Sequence, residues 1–490
     1  MSKHQGRWWA GLLLVSGIVW AFVAQPMEAQ GVVWSQPIEL YKAEGEIGHP
    51  LLLGDAVGRL HLLWNEYPGK EDDPLQRRVI YYMTREREVW SKPIDVLTQE
   101  KNRMDKPRGL VDPYGRLHIV YGVGEPLAYS HTLDVDPKSA RNWIQPILIS
   151  EPQQVAGNIA LDATHRLHIV YSVVGLPVQH QMSLDWGAHW SSRMGLSPCP
   201  PDNQTTDEPL LAFDIRGNWH LVWTQVPLPA GYPPLGSFYS RSVDNGQTWS
   251  DPIQIAPTDH MAVALLPGTN DQLYVLYIGR AEVGGRYFRW SADNGASWSA
   301  PVQISAPSEG GGLSGGDLAL DSAGTVHAIF GLKSDQVIAH SQWDGRGWSQ
   351  WINIASPVVS PEVPLDWERM SLEIIQGNHL FAVWKNPKAN SLWYAEGKAE
   401  ALEKPTVSFL ALPASALPTP TPMPVAEVVI AEPVSSLTPA LAPVRSRLDW
   451  ADTKPFASST SPAIALLISM FSSIVIVSAV VLWQLVTKRK

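Results

Sequence analysis

Five histidines recur at one position of a repeated apolar run: His61, His118, His168, His220 and His327. They are the residues whose type and number most invite a chemical reading. A metal site needs three or four such ligands within a few ångströms of one ion. These five hold equivalent places in successive units, so they form a wide ring and do not converge. Their expected role is structural, and neither metal nor cofactor is expected. Gly312-Leu313-Ser314-Gly315-Gly316 matches Gly-x-Ser-x-Gly by letter. That elbow requires a strand before it and a helix after it. Here Asp317-Leu318-Ala319-Leu320-Asp321 reads as another strand, and Gly310-Gly311-Gly312 adds freedom to the approach. A serine nucleophile is not expected, nor is a phosphate cradle, which needs a helix N-terminus. The chain has no Walker loop, no His-Glu-x-x-His and no cysteine pair. A net charge of −10 argues against a nucleic-acid partner, because that binding depends on concentrated positive charge.

The elements that carry the histidines explain their recurrence. The runs Arg59–Trp64, Arg116–Tyr121, Arg166–Tyr171, Asn218–Trp223, Gln272–Tyr277, Thr325–Phe330 and His379–Trp384 each follow a turn and are rich in β-branched and aromatic residues. Such runs predict strands, and their continuous apolarity predicts burial on both faces. Positions 61, 118, 168, 220, 274, 327 and 381 lie 57, 50, 52, 54, 53 and 54 residues apart. Seven units follow, each long enough for four strands. Tryptophans opening a closing strand also number seven: Trp34, Trp90, Trp143, Trp190, Trp249, Trp298 and Trp348. Trp34 precedes the first complete unit, and the seventh unit has no such ending. The spacing therefore predicts a ring in which the N-terminal strand completes the last unit. A repeat of this length predicts an all-β, seven-bladed propeller of four-stranded blades over about residues 31–400.

An octapeptide pattern S-x-D-x-G-x-x-W accompanies three units. It comprises Ser183, Asp185, Gly187 and Trp190; Ser242, Asp244, Gly246 and Trp249; and Ser291, Asp293, Gly295 and Trp298. Asn-Gly in two copies predicts a tight turn with positive φ. Ser and Asp side chains can close such a turn by bonding backbone groups, and the Trp begins the next strand. The pattern resembles the Asp box, or BNR repeat, of sialidases and related propellers. The resemblance implies a structural staple between the third and fourth strands of a blade, on the face opposite any active site. It also implies a site on the other face. Sialidases grip a substrate carboxylate with three arginines, whose planar forks suit it, and add a Tyr–Glu nucleophile pair and an Asp acid/base.

In this chain the corresponding loops offer Arg108, Arg280 and Arg369 as the clamp, with Asp105 or Asp259 as acid/base. They also hold Glu46, Glu66, Asp207, Glu208, His260, Glu282, Glu368 and Lys385. The pattern departs from the family. Most sialidase domains have six blades, the Arg-Ile-Pro segment is absent, and Pro107-Arg108-Gly109-Leu110 of the second unit is its nearest relative. The expectation is therefore a non-catalytic module that binds a glycan or a protein, with Tyr67, Tyr232 and Trp367 as contact residues. Trp186 is a fourth aromatic candidate, with blade packing the stronger expectation because it lies inside a box. Two alternatives stand beside this reading. One is an exo-sialidase or related glycoside hydrolase, which release of a fluorescent aglycone would reveal. The other is a scaffold propeller, since fold alone selects no function.

The ends predict the compartment. Lys3 and Arg7 followed by an apolar run from Trp8 to Ala24 resemble a secretory signal, residues 1–29, or an uncleaved signal anchor. Residues 403–461, rich in Pro, Ala, Ser and Thr, predict an extended stalk. Ala463 to Val486 is almost wholly apolar and exceeds the roughly 20 residues a bilayer requires; the predicted span is 463–487. The basic tail 488–490 predicts a cytoplasmic C-terminus and an extracellular propeller. The single cysteine, Cys199, excludes an intrachain disulfide.

Overall fold

The computed structural model describes residues 31–67, 78–99, 106–122, 126–150, 154–229, 231, 233–279, 284–305, 315–332, 337–354, 370–386 and 390–411. The predicted signal segment, the apolar segment 463–487 and nearly all of the predicted stalk lie outside these residues. Among the described residues no helix is long and apolar enough to cross a membrane.

Seven antiparallel sheets make the fold, and the repeated apolar run forms the second strand of each. The inner strands, in blade order, are Glu46–Gly54, Arg108–Val111, Gln154–Leu161, Gln204–Phe213, His260–Pro267, Gly316–Leu320 and Met370–Ile375. Each contacts the next, and the seventh contacts the first, so the ring is closed. Closure uses the N-terminus as the tryptophan count predicts. Val33 and Trp34 pair with Lys398 and Gly397, and Ile38–Lys42 pair with Tyr394–Ser391. Trp34 therefore lies in the sheet that contains Phe381.

The core is divided among the gaps between blades, because a propeller blade buries both faces. Leu51, Leu63 and Tyr82 of blade 1 meet Leu117, Ile119 and Trp143 of blade 2. Trp64 and Leu62 of blade 1 meet Phe381, Val383 and Leu392 of blade 7 on the other side. A cluster of this kind fills every gap around the ring.

The recurring histidines sit wholly buried on second strands and hold the blades together internally. His61 bonds Asp55 through Nε2 at 3.1 Å and the Tyr82 hydroxyl through Nδ1 at 2.8 Å. His118 repeats this with Asp112 and Tyr129, at 3.2 and 2.7 Å. In blade 6, His327 joins Asp321 to His340. Each aspartate also closes the turn between the first and second strands; Asp55 Oδ1 accepts from the N–H groups of Val57 and Arg59. Burial pushes the His61 and His118 pKa values down, so these rings are neutral donors and acceptors. Among the described residues no cluster of metal-ligating side chains occurs.

The three octapeptide turns share one geometry. In blade 5, Ser291 Oγ accepts from the Gly295 N–H at 2.8 Å and donates to Asp293 Oδ1 at 2.8 Å, and Asp293 accepts from the Ser297 N–H. Gly295 has φ +76°, and a Cβ there would lie 1.7 Å from the Tyr239 hydroxyl of blade 4. Trp298 then stacks edge-on against Tyr239, 4.9 Å between centroids. The turn therefore staples two blades as well as one hairpin. Ser291→Ala leaves the buried Gly295 N–H without its acceptor and is expected to destabilise the protein by about 2 kcal/mol. Denaturant unfolding of the two proteins checks this; an unchanged midpoint would deny the staple.

The inner strands run from one face, here called upper, to the other, where the first-to-second-strand turns and the octapeptide turns lie. The described chain continues past blade 7. Residues 401–411, of which 403–411 fall in the predicted stalk, run along the lower face. Lys404, Val407 and Leu410 donate backbone N–H bonds to Gln376 of blade 7, Ala56 of blade 1 and Pro113 of blade 2. The Phe409 ring covers Gly115 and receives the Arg59 guanidinium at 5.2 Å. This strap crosses the join between the last blade and the first.

Candidate functional site

The entry ends of the inner strands converge on the axis and leave a pocket at the upper face. Lys106, Pro107 and Arg108 of blade 2 line it with His49 of blade 1, Glu208 of blade 4, Met261 of blade 5 and Asp317 of blade 6. Its described part encloses about 100 Å³. That is well under the roughly 300 Å³ of a typical small-molecule pocket. A cavity of this size admits one substituent rather than a whole oligosaccharide.

Arg108 is the first residue of its strand, and its position follows from the turn chemistry before it. Pro107 cannot donate to a ladder, so regular pairing starts at Arg108, opposite Val120. The guanidinium is half-buried, and among the described residues it makes no hydrogen bond or ion pair. The nearby Asp317 carboxylate is already occupied. It accepts from the N–H groups of Leu318 and Leu372, both at 2.9 Å. Burial pushes the Asp317 pKa up, while those N–H groups and the Arg108 charge pull against the shift.

A second buried carboxylate, Glu373, lies in the inner strand of blade 7 beside Gly54 of blade 1. It accepts from the Ile374 N–H at 3.1 Å and from the Gly54 N–H of blade 1. Burial raises its pKa to about 7 despite those bonds, and the charge of Asp317 raises it further. Neighbouring inner strands do not pair by backbone, so these carboxylates satisfy N–H groups across the gaps. Ser371 does the same for Leu52, whose N–H it accepts at 3.2 Å.

Lys106 forms an ion pair with Glu208 inside the pocket. Burial penalises the ammonium, but Glu208 and Asp207 outweigh that and hold its pKa up at about 12.

The expected site residues fall out unequally. Arg108 lines the pocket. Arg280, Arg369, Asp105, Tyr232 and Trp367 lie outside the described residues. Asp259 precedes the inner strand of blade 5 with φ +64° and donates its N–H to Pro234; it does not line the described pocket. Tyr67 ends the second strand of blade 1, with the Arg78 guanidinium 3.5 Å above its ring. Trp186 packs edge-on against Tyr114, 4.8 Å between centroids, and beside the Arg116 guanidinium, which is the packing role expected of it. A Tyr–Glu pair does occur. The Tyr41 hydroxyl donates to Glu66 Oε2 at 2.9 Å, but neither residue lines the axial pocket. Burial and the Glu66 bond push the Tyr41 pKa far up, so it remains a neutral phenol.

Lys106, Asp317 and Glu373 escape a reading based on loops. For the two carboxylates a signal exists: each is a charge inside an otherwise apolar strand, Asp317-Leu318-Ala319-Leu320 and Ser371-Leu372-Glu373-Ile374-Ile375.

No protein-family model matches the chain, and no curated protein is significantly similar to it. Solved structures do resemble it. An ulvan lyase, a polysaccharide lyase bound to -[GlcA(1-4)Rha3S]-, aligns at 10% identity over 73% of this chain and 95% of its own, with a TM-score of 0.51. The sialidase of Trypanosoma rangeli aligns at 11% identity over 74% of this chain and 59% of its own, with a TM-score of 0.42. An α-L-arabinanase of Penicillium chrysogenum aligns at 13% identity over 76% of this chain and all of its own, with a TM-score of 0.41. These likenesses concern the fold, a propeller of antiparallel blades.

Proposed function

We propose that the chain is an extracellular binding module, held to a membrane by its stalk and C-terminal apolar segment, that takes an acidic group of a glycan into the axial pocket. The observation that carries this reading is Arg108. A half-buried arginine lining a polar pocket, with no carboxylate bound to it among the described residues, suits a bidentate contact from a ligand carboxylate or sulfate. The small volume fits insertion of one charged substituent while the sugar rings rest on the rim. The uronate of the ulvan lyase ligand is one such substituent. A binding role is favoured over hydrolysis because the Tyr41–Glu66 pair stands outside the pocket and its phenol stays protonated.

The test is a binding measurement on the full-length chain in lipid nanodiscs. Titration calorimetry with trigalacturonate and with 3′-sialyllactose should show binding of at least one. Arg108→Ala should weaken it at least tenfold, about 1.4 kcal/mol, while neutral lactose is unaffected. Absence of binding by both acidic probes would overturn the reading. Release of a fluorescent aglycone from a sialic acid conjugate, lost in Arg108→Ala, would replace it with the hydrolase.

A further inference from the structure

The axial pocket contains a second cation, and that cation is already engaged. Lys106 enters the inner strand of blade 2, and Glu208 lies at the register shift in the inner strand of blade 4, between Asp207 and Leu210. Their ion pair therefore passes over blade 3 and joins two walls of the pocket. Both partners have left-handed backbone, φ +48° at Lys106 and +44° at Glu208. Neither is a glycine, asparagine or aspartate, the residues that adopt this region readily. The side chains are mostly enclosed, 34% exposed for Lys106 and 14% for Glu208.

These facts are hard to reconcile with a purely stabilising role. A largely desolvated ion pair contributes little net stability, because removing two charges from water offsets most of their attraction. Two left-handed side-chain-bearing residues add a further cost. Strain retained at both ends of one contact, inside a pocket, points toward function. Arg108, two residues from Lys106, shares the same lining and forms no ion pair among the described residues.

We propose that Lys106 and Glu208 form a latch: an anionic ligand group displaces the Glu208 carboxylate from Lys106 and is then held by Lys106 and Arg108 together. Glu208 acts as an internal competitor. A neutral sugar has nothing to offer Lys106 and leaves the latch shut. An acidic group opens it, at the expense of the resting pair, so the latch sets selectivity for charge. No covalent step is involved. The inference rests on the axial-pocket reading above and adds the residues that select the ligand.

The experiment uses the full-length chain in nanodiscs, with trigalacturonate as probe and maltotriose as neutral control. Glu208→Gln removes the competitor and is expected to tighten trigalacturonate binding about tenfold, with faster association. Lys106→Ala is expected to weaken it about tenfold. Neither variant should alter the response to maltotriose. Because a lone buried charge can unfold a protein, the double variant Lys106→Met with Glu208→Gln serves as a control without an unpaired charge. It should bind as weakly as Lys106→Ala. Wild-type-like binding by the double variant would overturn the latch. So would a Glu208→Gln affinity within twofold of wild type alongside a lowered melting temperature, since that is the signature of a structural pair. If wild type and Glu208→Gln both fail to bind trigalacturonate and 3′-sialyllactose, the latch and the axial-pocket reading fall together. If wild type binds and Glu208→Gln changes nothing, the latch alone falls.

Discussion

Deleting residues 31–42 is expected to abolish the cooperative unfolding transition of the propeller. Those residues supply Val33–Trp34 and Ile38–Lys42, the outer pairing partners of Ser391–Lys398. Without them blade 7 ends in a bare edge of unpaired N–H and C=O groups, which also invites aggregation. The deletion further removes Leu40 and Tyr41 from the gap between blades 7 and 1, and Trp34 from the gap between blades 6 and 7. In a closed ring every blade leans on two neighbours, so loss at one gap is felt by both. The loss should be at least about 5 kcal/mol, comparable to the whole stability of many domains. Scanning calorimetry of the full chain and the deletion measures it. Adding a synthetic 31–42 peptide should restore a transition, as strand addition to an open edge does. A truncated protein that melts at the wild-type temperature would refute closure by these strands.

Glu373 should impose a pH dependence that runs opposite to that of the buried histidines. Its folded pKa, about 7, lies above the ordinary glutamate value of 4.5. Below the lower value it is protonated in both states, and its contribution to stability is fully present. Between the two values the unfolded chain releases the proton and the folded chain keeps it. Stability therefore falls as pH rises through that window and levels off above it. The size follows from about 1.4 kcal/mol per pKa unit and reaches roughly 3 kcal/mol at most. Glu373→Gln should remove this term. The difference in unfolding free energy between wild type and variant, followed from pH 4 to 8, should shift toward the variant by up to about 3 kcal/mol. Taking the difference cancels most other titrations. Asp317 is coupled to Glu373 and should ionise more readily in the variant, which enlarges the measured change slightly. A flat difference would mean that water and the Gly54 and Ile374 N–H groups keep Glu373 ionised throughout.

The two buried carboxylates of the inner strands, Asp317 and Glu373, owe their character to neighbours distant in sequence. Arg108 is legible because it flanks a strand start, and the strand starts are set by the repeat. Asp317 and Glu373 stand out in the sequence only as charges within apolar strands, which does not say what surrounds them. Their environment depends on the convergence of inner strands from blades 1, 6 and 7, and the intervening chain says nothing of that distance. The Lys106–Glu208 pair is more remote still, its partners standing 102 positions apart. Tyr41 and Glu66 likewise meet only because the N-terminal segment returns to blade 7 before blade 1 begins. The strap at 401–411 is composed of residues that resemble a linker, and it docks because Gly115 leaves room for the Phe409 ring.

Local chemistry carried the rest. Tight-turn residues, β-branched runs and a Trp at a fixed offset specify hairpins, and a repeat near fifty residues specifies how many there are, because each relies on contacts a few positions apart. That is why blade count, strand order and the closing strand can be read in one dimension. The electrostatics of the axis cannot be, since a carboxylate's pKa and a lysine's partner depend on the dielectric and the charges within a few ångströms, and those neighbours arrive from blades hundreds of residues apart only after the ring has shut.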